Sequence, residues 1–498
     1  MKRKILILPD EKVIFAEDGE NLLGILASVG VSLPAACGGR GTCGKCRVRL
    51  ISGRVAGTEA DACGEILACH ASVCEDLVLS IPQSAGSGLD RFLSQPLTGG
   101  AAGLCAVLDV GTTTLALCLL DRATGEILQR RTALNPQGVL GADVLSRIGA
   151  WGAGKGLLLQ RLLLDRVCKM LDEVSGGRAI DMLTVAANTT MLHLFLNVDP
   201  TTIGVYPFTP RFTDTQWVTG EALGLPVSRV CLLPSVSGYI GGDVTAGAVA
   251  CGMDRTDETL LLVDVGTNGE IMLSHKGALY ATSAAAGPAF EGACIECGMG
   301  GVAGAVDHVT LTNGELAVST VGGTAPRGIC GSGLIDLIAL LLREGLLDES
   351  GAWADDAASP LCARLRGDRF YLGESVYLSQ KDIRQYQLAK SAIVSGILVL
   401  LDSCGVRVDE VSRVMIAGGL GYYMNVESAA QTGLLPASLA SRTESVGNTA
   451  LAGARLCACD PDGVSRVERL ARATRVVELG GSTAFSEAYM MNMLLGEV

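Results

Sequence analysis

One short pattern occurs twice and constrains how most of this chain can fold. Leu104–Leu108 is a continuous apolar run, followed by Asp109-Val110-Gly111-Thr112-Thr113-Thr114 and a second apolar run, Leu115–Leu120. Asp121-Arg122-Ala123-Thr124-Gly125-Glu126 then turns the chain into a third strand. The same device returns at Leu260–Val263, Asp264-Val265-Gly266-Thr267-Asn268-Gly269-Glu270 and Ile271–Leu273. Short apolar runs bounded by turn residues read as buried strands. A repeated strand–DxGT–strand unit predicts two α/β lobes, each opening on the same hairpin. An Asp ending such a strand faces the cleft, where it can hold Mg²⁺ through water. The glycine permits the tight turn, and Thr hydroxyls and backbone N–H groups can grip phosphate oxygens. Any β-hairpin can carry one DxGT; two, each opening a lobe, point to a bound nucleotide.

A third element completes the set. Val414–Ile416 is a short strand running into Ala417-Gly418-Gly419-Leu420-Gly421, a turn that lets backbone lie flat against an adenine or ribose. Two stretches of small residues, Gly241–Ala248 and Gly447–Ala454, predict helices that cross closely at a hinge. In chain order these five elements resemble the actin/hexokinase/heat-shock-chaperone superfamily over residues 104–498: phosphate-1, first connecting helix, phosphate-2, adenosine, second connecting helix. That resemblance implies that Asp109 and Asp264 face Mg²⁺-ATP, helped by Gly111, Thr112, Thr113, Gly266, Thr267 and Asn268. It implies that Gly418, Gly419 and Gly421 bind the adenosine part, and that Asp243 and Glu270 orient the attacking water.

The N-terminal part carries a different chemistry. Cys37-Gly38-Gly39-Arg40-Gly41-Thr42-Cys43-Gly44-Lys45-Cys46 sets three cysteines in a Gly-rich turn, with Cys69 far downstream. Glycines let such a loop fold around sulfides and aim N–H groups at them, as [2Fe–2S] sites require. Zinc usually wants two compact CxxC-like pairs, and only one is present here. Cys37, Cys43, Cys46 and Cys69 are the expected cluster ligands, with Cys63 and Cys74 as alternatives for the fourth. Lys4–Leu8 and Lys12–Ala16 read as strands, Leu22–Val29 as a helix, and Arg47–Ile51 and Asp76–Ile81 as further strands. This order resembles a plant-type ferredoxin. Arg40, Lys45, Arg47, Arg49 and Arg54 offset the cluster's charge or offer a surface to an acidic partner.

The expected architecture is therefore α/β. It comprises a β-grasp [2Fe–2S] ferredoxin domain at 1–84, a flexible linker at 85–103, and a two-lobed actin-like ATPase. Lobe I spans 104–257 and lobe II 258–498, both RNase H-like. A Gly/Ser-rich linker of this length spans on the order of 25 Å as a random coil. Asp143 and Arg147, four apart, are expected to pair, at the cleft edge or on an exposed helix face. Gly156–Val174 reads as an amphipathic helix with its leucines in the core. His193 is expected to be a satisfied structural histidine. The Gly-rich stretches 284–292 and 328–334 lead into predicted helices that could offer N-terminal amides to phosphate. Cys294 and Cys297, like Cys457 and Cys459, read as buried thiols. Ser379 is expected to cap a core helix running to Leu401, with Asp382 completing the cap.

Charge excludes some functions. The net charge is −13, and the first 84 residues are nearly balanced, so the excess lies in the ATPase part. That argues against nucleic acid as a partner. The apolar run after the basic start MKRKILILPD is too short for a signal peptide, and no apolar stretch is long enough to span a membrane. A cytoplasmic protein without a disulfide framework is expected.

A ferredoxin joined to an ATPase of this superfamily resembles the reductive activators of corrinoid proteins. The stretches carrying that likeness include Gly141-Ala142-Asp143-Val144, Gly238-Tyr239-Ile240-Gly241-Gly242-Asp243, Ala286-Gly287-Pro288-Ala289-Phe290-Glu291-Gly292 and Ile329-Cys330-Gly331-Ser332-Gly333. The likeness implies ATP-dependent, one-electron reduction of inactive Co(II) to Co(I) in a corrinoid methyltransferase system, through the [2Fe–2S] cluster, in anaerobic metabolism. It implies a corrinoid partner and an upstream electron donor, with a homodimer as one arrangement open to it. Two other readings fit the motifs: a small-molecule kinase with a fused redox domain, and an electron-transfer module on a non-hydrolysing nucleotide scaffold. Activators of radical dehydratases fit poorly, because they lack an N-terminal ferredoxin.

Overall fold

A computed structural model of the chain describes residues 2–8, 12–28, 46–60, 64–80, 92, 97, 100–141, 143–292, 294–301, 304–312, 314–355, 357–418, 420 and 424–498. The chain forms two compact units, Met1–Gly86 with Glu291–Gln385 and Ser87–Phe290 with Tyr386–Val498. Most of the cluster loop, including Cys37 and Cys43, lies outside the described residues, as does most of the 85–103 linker. Of that linker, Phe92 and Leu97 pack on the core of the second unit, and Arg455 donates to the Phe92 carbonyl.

In the first unit, apolar alternation along Lys2–Leu8 turns Ile5 and Ile7 inward. That strand pairs antiparallel with Lys12–Glu17 and parallel with Leu77–Ser80. Arg47–Ser52 lies on the far side of Leu77–Ser80, and Glu65–Leu67 closes the edge. Parallel neighbours need a crossover. It includes the helix Leu22–Ser28, which drops Leu22 and Leu26 into a core with Val48, Ile66 and Leu79. This is the expected β-grasp.

The remainder of this unit is built on the hairpin Ala305–Thr312 and Glu315–Thr320, followed by the helix Gly331–Arg343. The first turn of that helix is buried against the hairpin. Residues 288–292 form turns and lead into no helix, a departure from expectation.

The second unit contains two six-stranded sheets built to one plan. In the first, Leu104–Val110 pairs antiparallel with Thr114–Asp121, which pairs with Ile127–Leu134. On its other side Leu104–Val110 runs parallel to Ile180–Ala187, itself parallel to Val227–Leu232. In the second sheet Leu260–Val265, Gly269–His275 and Ala278–Ala284 form the antiparallel part, and Arg413–Ala417 and Thr443–Gly447 the parallel part. Leaving aside one edge strand in each sheet, Gln216–Thr219 and Thr474–Val476, the strand order is third-second-first-fourth-fifth, that of an RNase H-like lobe, here present twice. Each first strand has a hairpin partner on one side and a parallel crossover strand on the other. Ligands bind outside the carboxyl ends of strands at such switch points. Asp109 and Asp264 stand there.

Two helices, Gly242–Ala250 and Thr449–Cys459, pack together at the hinge. A Cβ on Gly453 would stand 2.0 Å from the Ala246 carbonyl oxygen, a backbone atom that cannot swing aside. Alanine is the better helix former by about 1 kcal/mol. Overpacking costs about 1–3 kcal/mol and wins. Gly453→Ala is therefore expected to lower the melting temperature, and a melting temperature at or above wild type would count against this packing.

The helix Gly156–Ser175 carries only part of its leucines inside. Leu159, Leu163 and Leu171 are buried, whereas Leu157 and Leu158 face outward, contrary to expectation. Ser379 and Asp382 form the predicted cap, with Ser379 N–H and Oγ both donating to Asp382. Among the described residues no helix is long and apolar enough to cross a membrane.

Candidate functional site

The first DxGT hairpin is closed by Gly111 N–H donating to the Thr114 carbonyl at 2.9 Å. Its counterpart in lobe II is closed by Gly266 N–H donating to Asn268 O at 3.0 Å. Asn188, which follows the strand Ile180–Ala187, donates to Thr112 Oγ1 at 3.3 Å. Asn448 caps the second connecting helix by accepting from Leu451 N–H, and its amide donates to Asp109 Oδ2 at 2.5 Å. The hinge helix is thereby tied to the first-lobe carboxylate.

The four expected acids form one electrostatic group. Burial pushes Asp109 up to about 7; the Asn448 hydrogen bond opposes this and Asp243 adds to it. Burial pushes Asp243 up to about 6, against the pull of the Val244 N–H. Glu270 is raised well above the usual carboxylate range, first by burial and then by Asp243 and Asp264, while Asn268 partly offsets this. Carboxylates that raise one another in this way suit a divalent cation, which would favour their ionised forms. Among the described residues no three His, Cys, Asp or Glu side chains converge to ligate one ion directly. Mg²⁺ keeps most of its waters and binds through one or two carboxylates plus phosphates, so this donor set fits it.

The Gly-rich turn after Arg413–Ala417 meets the strand Leu260–Val265 at Gly418. Its φ is +85°, and a Cβ there would lie 2.5 Å from Asp264 Oδ1. Only glycine lets this turn approach so closely. Gly419 and Gly421 lie outside the described residues.

In the ferredoxin part, Cys46 Sγ and Cys69 Sγ stand 3.2 Å apart. The register Arg47↔Leu67 and the Ala68 N–H bond to the Cys46 carbonyl, at 2.9 Å, bring the two together. Asn21 holds the Cys69 carbonyl at 2.8 Å. The separation is well beyond the ~2.05 Å of a disulfide, and two sulfurs so placed can share one iron. Cys74 Sγ is turned to the Arg54 carbonyl at 3.1 Å. Cys63 lies outside the described residues.

Other expectations resolve differently. Asp143 does not pair with Arg147: its carboxylate caps the helix Val144–Ala150 at Ser146 N–H. Arg147 is only 1% exposed and donates to the Thr112 carbonyl. His193 is structural: Nδ1 lies 2.7 Å from Thr189 O, Nε2 accepts from Arg211 N–H, and the ring stacks on Phe212. Cys457 and Cys459 are buried; Cys294 and Cys297 are only partly so. The structure adds Asn135, Asn188 and Asn448 to the hairpin's surroundings, and it brings Arg147 there without Asp143. The sequence signal for the three asparagines is their position as caps directly after a strand and before a helix.

Two RNase H-like lobes with acids at matching strand ends, and a β-grasp ferredoxin domain in the same chain, define an iron–sulfur ATPase of the actin/hexokinase class. Family profiles agree along the chain: a 2Fe–2S iron–sulfur cluster binding domain at 6–74, the RACo middle region at 104–256, and the C-terminal ASKHA domain of RACo at 258–497. The corrinoid activation enzyme RamQ of Eubacterium limosum is 34% identical over 78% of this chain and 70% of its own length. The [Co(II) methylated amine-specific corrinoid protein] reductase of Methanosarcina barkeri is 24% identical over 70% of this chain and 68% of its own. A solved structure of a reductive activator for a corrinoid, iron–sulfur protein superposes with a TM-score of 0.73 at 28% identity, covering 99% of this chain and 98% of that one. The chain belongs to the reductive activators of corrinoid proteins.

Proposed function

We propose that this enzyme uses ATP, bound with Mg²⁺ between its two lobes, to drive one electron from the ferredoxin domain onto the Co(II) centre of a corrinoid protein, returning it to Co(I). The observation that carries the nucleotide part is the 2.5 Å bond from Asn448 to Asp109. It couples the first-lobe carboxylate to a hinge helix, so a ligand that changes Asp109 changes the hinge. Asp109 and Asp264 would hold the cation through water, Thr112 and Thr267 would meet phosphate oxygens, and Gly418 would lie under the adenosine. Asp243 or Glu270 would orient the attacking water. Cys37, Cys43, Cys46 and Cys69 would hold the [2Fe–2S] cluster, which supplies the electron and is reloaded by an upstream reductant. For one electron each ~59 mV uphill is a tenfold loss in equilibrium, so an uncoupled ferredoxin would leave most of the cobalt unreduced.

The test is anaerobic. Chemically reduced protein is mixed with a Co(II) corrinoid protein, and Co(I) absorbance is followed with and without Mg-ATP. Co(I) that accumulates only with Mg-ATP is the expected result. Equal accumulation without nucleotide would sink the coupling, and none with several corrinoid partners would sink the assignment.

A further inference from the structure

Three consecutive carbonyl groups of the phosphate-1 hairpin each accept a hydrogen bond from Asn135 or Arg147. The Gly111 carbonyl accepts from Asn135 Nδ2 at 2.9 Å, and the Thr113 carbonyl accepts from Asn135 N–H at 2.8 Å. Between them, the Thr112 carbonyl accepts from Arg147 Nη2 at 2.5 Å. Peptide carbonyls turned toward a triphosphate would repel it, so the direction of these oxygens decides whether the hairpin can take an anion. We infer that Arg147 is a positioning residue for nucleotide binding: its guanidinium fixes the Thr112 peptide so that the hairpin presents no carbonyl to the phosphates.

The guanidinium is itself locked. Nε donates to the Gly141 carbonyl at 3.0 Å, and Nη1 donates to Gln137 Oε1 and reaches Met191 Sδ, both at 3.2 Å. Gln137 is fully buried and anchored through Nε2 to the Leu159 carbonyl at 2.9 Å. A planar fork with fixed donors can satisfy three directions at once; an ammonium on a flexible stem cannot hold the same geometry. Arg147 also places a positive charge beside a hairpin that must face a highly charged anion. It touches neither phosphate nor metal in this role, and acts through the Thr112 peptide.

This inference rests on the nucleotide-site reading above. It is tested on the full-length, cluster-loaded protein by titrating Mg-ATP, Mg-ADP and adenosine into wild type, Arg147→Met and Arg147→Lys. Arg147→Met is expected to weaken Mg-ATP and Mg-ADP about tenfold or more, the scale of one charge-assisted hydrogen bond, with adenosine unchanged. Arg147→Lys keeps the charge but loses the fork, and is expected to recover only part of that affinity. A purely structural role would weaken all three ligands together, and that outcome overturns the inference, as does wild-type Mg-ATP affinity in Arg147→Met. Should Arg147→Met not fold, Arg147→Lys decides, and wild-type affinity there rules out the fork. Wild-type protein that binds none of the ligands would overturn the nucleotide reading itself, which is a different result from an unaffected variant.

Discussion

Asp109→Asn is expected to abolish Mg-ATP-dependent formation of Co(I) and, at neutral pH, to raise the melting temperature of the nucleotide-free protein. The two effects have one cause. Burial pushes the Asp109 carboxyl up to about 7, so the nucleotide-free fold disfavours its ionised form. An acid raised above its unfolded value of about 3.9 costs stability, and that cost grows as pH rises from there to about 7. An amide of the same shape removes it and can still accept from Asn448. Asp109 keeps some solvent contact, so the gain is on the order of 1–2 kcal/mol rather than the full value of the shift. The same amide cannot supply the negative charge that a divalent cation needs. Wild-type Mg-ATP affinity should also fall as pH drops through 7 toward 6, by up to about tenfold, because a cation must displace the proton. Thermal melts and single-turnover assays on the same preparation check both arms. A variant that still couples ATP to Co(I), or one that melts well below wild type, would contradict the role given to Asp109.

Cys69→Ser is expected to lose most of the bound iron and the visible absorption of the cluster, whereas Cys74→Ser keeps both. Cys69 Sγ stands 3.2 Å from Cys46 Sγ, while Cys74 is committed to the Arg54 carbonyl next to the Arg54–Glu75 pair. A serine hydroxyl is a harder, poorer ligand for iron than thiolate sulfur. Mg-ATP affinity should be unchanged in both variants, since neither cysteine belongs to the unit that carries Asp109 and Asp264. Iron analysis with anaerobic spectra decides the point. Full iron in Cys69→Ser with stripped iron in Cys74→Ser would transfer the fourth ligand to Cys74.

Much of this was legible because the relevant chemistry is local. A DxGT turn needs its glycine and hydroxyls within a few residues of its aspartate, and a strand needs only its own alternation or apolar run. Two such hairpins therefore announced two lobes, and the Gly-rich cysteine loop announced a cluster. Local rules also misled. Asp143 and Arg147 have the spacing of a helical pair, but that rule applies inside a helix, and Asp143 sits just before one as its cap. Leu157 and Leu158 fall in an apolar-looking helix, yet a helix buries a stripe and not its whole circumference.

The sequence by itself determined the fold class, the two DxGT hairpins and the presence of an iron–sulfur domain, because each is written in neighbouring residues. Only the tertiary structure decided what supports them. Asn448 reaches Asp109 across 339 residues, and Arg147 reaches the Thr112 carbonyl across 35. A hydrogen bond depends on position in space, and chain crossovers set that position without leaving a periodic trace in the sequence.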